Sequence, residues 1–167
     1  MLLHLDKLES IYPVVTKGEQ VMSKVLIVYC TMSGNTKAAA EAIAEGAKTA
    51  GAQVTIKEGT AAHPNDLVEC DAVALGSYDA FSYMGGGLKD FFDRVFYPTQ
   101  GQVTDKPYAA FLTHGGGGKA IQSIESIAQS FKLKKVAEAV LIKGKPEGQA
   151  LADLRALGAK IAAAAGN

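Results

Sequence analysis

The 167-residue sequence has no excess of charge of either sign: Lys+Arg and Asp+Glu both number 17. That balance removes the bulk attraction that draws basic proteins to nucleic acid or to acidic membrane surfaces, so neither nucleic acid nor membrane is expected as a partner. Cysteine is nearly missing as well. Cys30 and Cys70, the only two, stand far apart and lack the close spacing of a disulfide framework, a zinc site or a redox pair. A reducing, cytoplasmic setting with no resident metal is the expectation. Long apolar runs are also absent, since residues 25–30 and 161–165 fall far short of the ~18 residues that span a bilayer. Asp6, Lys7 and Glu9 interrupt the N-terminal stretch where a signal peptide needs an unbroken apolar core.

What is present fits one domain, expected over residues 24–167, preceded by an extension at residues 1–23. Leu2, Leu5, Leu8 and Ile11 recur in that extension at helical spacing before Pro13, as in a short amphipathic helix. Beyond it, strand-sized apolar runs at residues 24–30, 52–57, 71–76, 107–113 and 136–143 alternate with helical periodicity. Leu88, Phe91, Phe92, Val95 and Phe96 form one stripe with a single buried face; Ala120, Ile124, Ile127, Ala128 and Phe131 form another. Further helices are expected over residues 35–50, closed by Gly51, and over 147–164 behind Pro146, with a short turn at 63–68.

This alternation produces an α/β fold with a parallel sheet covered on both faces. The first, third and fourth runs are continuously apolar, as central strands are, whereas Gln53, Thr55 and Lys57 in the second and Glu138 in the last mark edges. The expected architecture is a doubly wound, five-stranded parallel sheet in the order 2-1-3-4-5, with ligand loops beyond the C-terminal strand ends.

The loop after the first strand carries Thr31, Met32, Ser33, Gly34, Asn35 and Thr36 at the start of a helix. Unpaired N–H groups and the helix dipole favour an anion there, and four short polar side chains around one glycine suit a terminal monophosphate. The three glycines of a dinucleotide fingerprint and the Gly-Lys-Ser/Thr of a triphosphate loop are both missing. Plain capping of the helix by Ser33 or Asn35 is the alternative.

At these residues the sequence resembles the flavodoxin family, whose phosphate loop reads Thr-x-Ser/Thr-Gly-Asn-Thr; the likeness continues through Gly76-Ser77, the helix from Leu88 to Asp93 and the strand and glycine loop around His114. The resemblance implies a flavodoxin-like fold holding FMN non-covalently, with the phosphate at residues 31–36 and the ring between the loops after strands three and four. It assigns Ser77, Tyr78, Asp79, Phe81, Tyr83, Met84 and Gly85 to the second loop, with Tyr78 or Phe81 stacking on the ring. Met84-Gly85 is similar to the family's Met-Gly, whose carbonyl turns toward the reduced flavin. His114, Gly115, Gly116 and Gly117 form the third loop, where bare backbone approaches the ring edge; His114 is open to a flavin, quinone or loop contact. Cys30 reads as packing at the core edge.

Three functions follow from the resemblance. The first is an electron carrier serving redox partner proteins or a small-molecule acceptor, favoured by a short chain without a second nucleotide motif and without catalytic side chains of its own. The second is an NAD(P)H-dependent quinone or flavin oxidoreductase, suggested by His114-Gly115-Gly116. The third is a non-catalytic binding module on the same fold.

Overall fold

Residues 25–30 are all buried, and alternate side chains of the run enter two different cores: Val25, Ile27 and Tyr29 one, Leu26, Val28 and Cys30 the other. A strand with two buried faces belongs inside a sheet covered by helices on both sides. The computed structural model describes residues 21–167 and contains that sheet. The expected extension at residues 1–23, with the stripe from Leu2 to Ile11, falls almost entirely outside the described residues.

In chain order the elements are β1 (Lys24–Tyr29), α1 (Asn35–Thr49), β2 (Gln53–Glu58), α2 (Pro64–Glu69), β3 (Ala72–Ala80), β4 (Tyr83–Met84), α3 (Gly86–Thr99), β5 (Pro107–His114), α4 (Ile121–Ser130), β6 (Lys134–Lys135), β7 (Val140–Lys143) and α5 (Gln149–Ala165). One core lies under α2, α3 and α4 and holds Leu67, Phe91, Phe92 and Ile124; the other lies under α1 and α5 and is rich in alanine. No helix among the described residues is long and apolar enough to cross a membrane.

The fold class stands as expected, but the strand count and order are corrected. The sheet has seven strands, with the path β2-β1-β3-β5-β6, β4 pairing off the path with β3, and β7 pairing with β5. Two local events account for the difference. First, β3 runs past Gly76 to Ala80 and turns back through Phe81 and Ser82, adding the antiparallel β4. Second, the expected last strand is broken: Tyr108 pairs with Lys135 and Phe111 with Val140, so the outer edge carries two more residues than β5 between those pairs. Extra residues on one strand form a bulge, which an edge tolerates because no further neighbour must match it. The diluted second and last strands do lie at the edges.

Gly51 ends α1 as expected from its freedom to adopt a left-handed backbone, φ 91°. Its N–H donates to the Lys48 carbonyl at 2.9 Å, and that of Ala52 to Ala47 at 3.0 Å, the paired bonds of a Schellman closure. At the start of α2, Asp66 accepts from the His63 N–H at 2.7 Å, and both its oxygens accept from Lys57 Nζ, at 2.8 and 2.9 Å. Partial burial raises this carboxyl, but the Lys57 hydrogen bond, the His63 N–H and the adjacent positive charge outweigh it and hold it below the ordinary value. A carboxyl held low contributes stability that is complete above its unfolded value, near pH 4, and is lost as pH falls through the lowered folded value. Urea denaturation across that range is expected to show a loss in the wild type that Asp66→Asn lacks; parallel profiles would refute it.

All parallel strands point the same way, so the loops after β1, β3 and β5 emerge at one end. From β1 the chain moves outward to β2, then returns to β3 on the other side, which puts the switch point between β1 and β3.

Candidate functional site

Gly34 opens α1 with φ 92°, and no side chain caps the helix. The first intrahelical bond runs from Ala38 N–H to the Gly34 carbonyl at 3.0 Å, so the N–H groups of Asn35, Thr36 and Lys37 have no acceptor within the helix. The capping alternative is therefore not what the structure contains: the Ser33 and Asn35 side chains leave these donors free. Thr31 Oγ1 accepts from the Gly34 N–H at 3.0 Å, which closes the turn and leaves its hydroxyl proton unused. Met32, Ser33 and Gly34 are exposed, whereas Thr36 is 1% exposed.

Thr36 has a buried partner that no local pattern announces. Its hydroxyl lies 2.8 Å from that of Thr113 at the end of β5, 77 residues away, and one proton of the pair remains available after they bond. Thr36→Val strands the Thr113 hydroxyl in the core and is expected to destabilise the protein by about 1–3 kcal/mol. Thr36→Val/Thr113→Val recovers most of that loss in a denaturation cycle, since both partners then leave together; an additive double variant would contradict the pairing.

The second loop is the β3–β4 hairpin. Its tip, Phe81 (φ 55°) and Ser82 (φ 67°), is a two-residue turn in the left-handed region, normally the province of glycine and asparagine. Phe81 is 104% exposed and Tyr83 44%, while Tyr78 packs partly against the core. Beneath them Ser77 is fully buried and organises the hairpin base. Its hydroxyl donates to the Tyr78 carbonyl at 2.6 Å, accepts from the Gly85 N–H at 2.7 Å and lies 3.3 Å from Cys30 Sγ. Gly85 precedes α3, and its carbonyl accepts from Leu88 and Lys89 N–H at 3.1 and 3.3 Å. A Cβ at Gly85 would press on the Tyr78 ring at 2.6 Å. Met84 is 3% exposed in the core. Ser77, Met84 and Gly85 thus lie under the loop surface with their polar groups engaged by the protein, and Cys30 is a core-edge residue as expected.

The third loop, residues 115–119, follows His114. Cβ atoms built on Gly115 and Gly116 meet nothing within 4 Å, so this backbone is bare. His114 Nδ1 is buried and has no hydrogen-bond partner among the described residues. Asp79 reaches across from the hairpin, and Gly117 lies against its carboxylate. Sequence reasoning missed Thr113 as the partner of Thr36, and it missed Ser123, which accepts from the Met84 N–H at 3.0 Å from within α4. A polar residue ending an apolar strand was a signal for the first; a serine on an amphipathic helix offered none for the second.

A doubly wound sheet with an uncapped helix start at its switch point, flanked by an aromatic hairpin and a bare glycine loop, is the architecture of a mononucleotide-binding domain. The chain belongs to the flavodoxin family, whose model, described as Flavodoxin, matches residues 27–158. A flavodoxin of Aquifex aeolicus (strain VF5) is 38% identical over 98 residues, 58% of this chain and 53% of that protein. An NAD(P)H dehydrogenase (quinone) of Rhizobium rhizogenes is 32% identical, over 44% of this chain and 47% of its own length. The match thus spans about half the length of these curated relatives. Among solved structures, a flavodoxin from the domain Archaea superposes with a TM-score of 0.78 at 27% identity, covering 86% of this chain and 99% of that one. Flavodoxin homologues bind FMN. The residues at the three loops fit that group: free donors at α1, aromatic side chains at the hairpin, bare amides at the glycine loop and an unsatisfied buried nitrogen on His114.

Proposed function

We propose that this protein is an electron carrier that holds one FMN non-covalently at the three loops. The uncapped N-terminus of α1 carries the reading: a left-handed Gly34 with free first-turn N–H groups is an anion seat that the protein leaves open. Thr31, Ser33, Asn35 and Thr36 hold the phosphate with neutral donors, together with the backbone of Met32 and Gly34. Tyr78, Phe81 and Tyr83 flank the ring and exclude water from it. Gly115, Gly116 and Gly117 offer backbone N–H groups to the ring's polar edge, and His114 Nδ1 gains the partner it lacks. Ser77, Asp79, Met84 and Gly85 support the hairpin. FMN supplies reversible one- and two-electron chemistry once bound, which no side chain here provides.

Redox partner proteins or a small-molecule acceptor exchange electrons at the exposed ring edge. Two free, buried thiols support a cytoplasmic location. Burial pushes the Cys70 thiol up to about 11 even though Lys106 opposes it, so this thiol is inert at neutral pH. The quinone dehydrogenase of Rhizobium rhizogenes supports a second reading, an NAD(P)H-dependent oxidoreductase that uses the same site.

Purified protein is expected to be yellow and to release FMN in acid. Ser33→Ala and Thr36→Ala each weaken FMN by about 1–3 kcal/mol, because the phosphate loses a charge-assisted partner. Fluorescence titration of the apo-protein measures this; unchanged affinity in both would move the phosphate elsewhere. Sustained NAD(P)H oxidation with a quinone would replace the carrier by the second reading.

A further inference from the structure

We propose that Asp79 and Ser123 are positioning residues that together set the gap between the aromatic hairpin and the glycine loop, and so the fit of the ring, without touching the cofactor. The inference rests on the proposed placement of the ring between these loops.

Asp79 uses both carboxylate oxygens on backbone. Oδ1 accepts from the Ser82 N–H at 2.7 Å and Oδ2 from the Ala120 N–H at 3.2 Å. The first bond secures a turn that resists its own geometry. Left-handed backbone is strained at residues as bulky as phenylalanine and persists only where the surroundings impose it. The second bond reaches the start of α4, which has no side-chain cap of its own. A carboxylate there meets both the orphan donors and the positive end of the helix dipole, so α4 takes its cap from 41 residues away.

Ser123 fastens the same two elements from the other side. Its hydroxyl donates to the Ala120 carbonyl at 2.6 Å and its oxygen accepts from the Met84 N–H at 3.0 Å. Both backbone groups of Ala120 are therefore engaged in the brace. This matters because the first half of the intervening loop has little packing of its own: Gly115 and Gly116 are exposed, and Cβ atoms there would meet no neighbour. That exposed stretch takes its position from what flanks it: His114 on β5, Gly118 packed beside Leu141, and Ala120 on the brace. Opening the brace frees one wall of the ring site while the phosphate turn, anchored on α1 and Thr113, stays in place.

The experiment compares Asp79→Ala, Asp79→Asn and Ser123→Ala with wild type by hydrogen exchange of the apo-protein and by fluorescence titration with FMN and with riboflavin. Exchange at Ser82 and Ala120 is expected to quicken in Asp79→Ala. FMN and riboflavin affinities fall by the same factor, about tenfold, because only the ring's fit has changed. Asp79→Asn keeps one acceptor oxygen and recovers part of the loss, which also guards against misfolding of the alanine variant. Faster exchange with unchanged affinity for both flavins would overturn the proposal, and so would a loss confined to FMN, since the effect would then travel through the phosphate turn. Wild type that binds neither flavin would remove the proposed function itself, and this inference with it.

Discussion

Asn35→Asp is expected to raise the stability of the apo-protein and to lower its affinity for FMN, two changes of opposite sign from one nearly isosteric substitution. Asn35 is the first residue of α1, whose first turn contains no acidic side chain. A carboxylate at that end interacts favourably with the helix dipole and the free N–H groups, which adds about 0.3–1 kcal/mol at low salt. With FMN placed as proposed, the same carboxylate faces a doubly charged phosphate. Like charges in such proximity cost several kcal/mol, so the affinity is expected to fall by about 3 kcal/mol. Salt separates this repulsion from a steric effect, because screening shrinks a charge penalty and leaves a shape penalty unchanged. Urea denaturation of the apo-protein and flavin titration at two ionic strengths measure both signs. An aspartate variant that binds FMN as tightly as wild type would mean that no phosphate sits at this helix.

Gly158→Ala is expected to destabilise the protein by about 3 kcal/mol, against the sign that helix propensity alone dictates. Alanine in place of glycine inside a helix ordinarily adds about 1 kcal/mol of stability. In α5, however, a Cβ at Gly158 would overlap the Ile43 carbonyl of α1, and one at Gly46 of α1 would overlap the Arg155 carbonyl of α5. The opposing atoms are main chain, so no rotamer relieves the overlap and the helices must part. Separation loosens the alanine-rich core beneath them, where Ala39, Ala40, Ala44 and Ala47 are buried on α1. A fall in Tm of roughly 6–12 °C corresponds to that loss for a chain of this size. Gly46 lies about three turns along α1 from the phosphate loop, so FMN affinity of the folded variant is expected to be unchanged. Thermal unfolding of Gly46→Ala and Gly158→Ala tests the contact from both sides. A stabilised variant would show that the two helices do not approach this closely.

The glycine turn before α1 and the edge strands are both legible in the order of residues alone, for different reasons. Residues 31–36 concentrate donors around a glycine directly after a buried strand, and that density is local information. Gln53 and Thr55 reveal exposure on one side of β2 through simple alternation with Val54 and Ile56. The hairpin is less legible. Phe81 and Ser82 are not turn-formers of the left-handed kind, and nothing nearby in sequence says that Asp79 will hold them there. A Met-Gly-Gly-Gly stretch reads as an open loop, yet Met84 and Gly85 are buried. Their burial follows from Ser77 below and α4 alongside, neither of which the stretch itself contains. The bulge in the last strand leaves no mark in the residues because it exists only relative to β5.

By itself the sequence determined the alternation of strands and helices, the two-sided burial of the inner strands and the glycine-led turn that opens α1. All three depend on residues within a turn or two of one another, where periodicity and backbone chemistry suffice. Tertiary structure alone decided which hydroxyl meets Thr36, how closely α1 approaches α5, and that one carboxylate and one serine join the hairpin to α4. Those arrangements depend on groups tens of residues apart meeting at hydrogen-bond or van der Waals distance, and only the finished packing of the two cores brings them there.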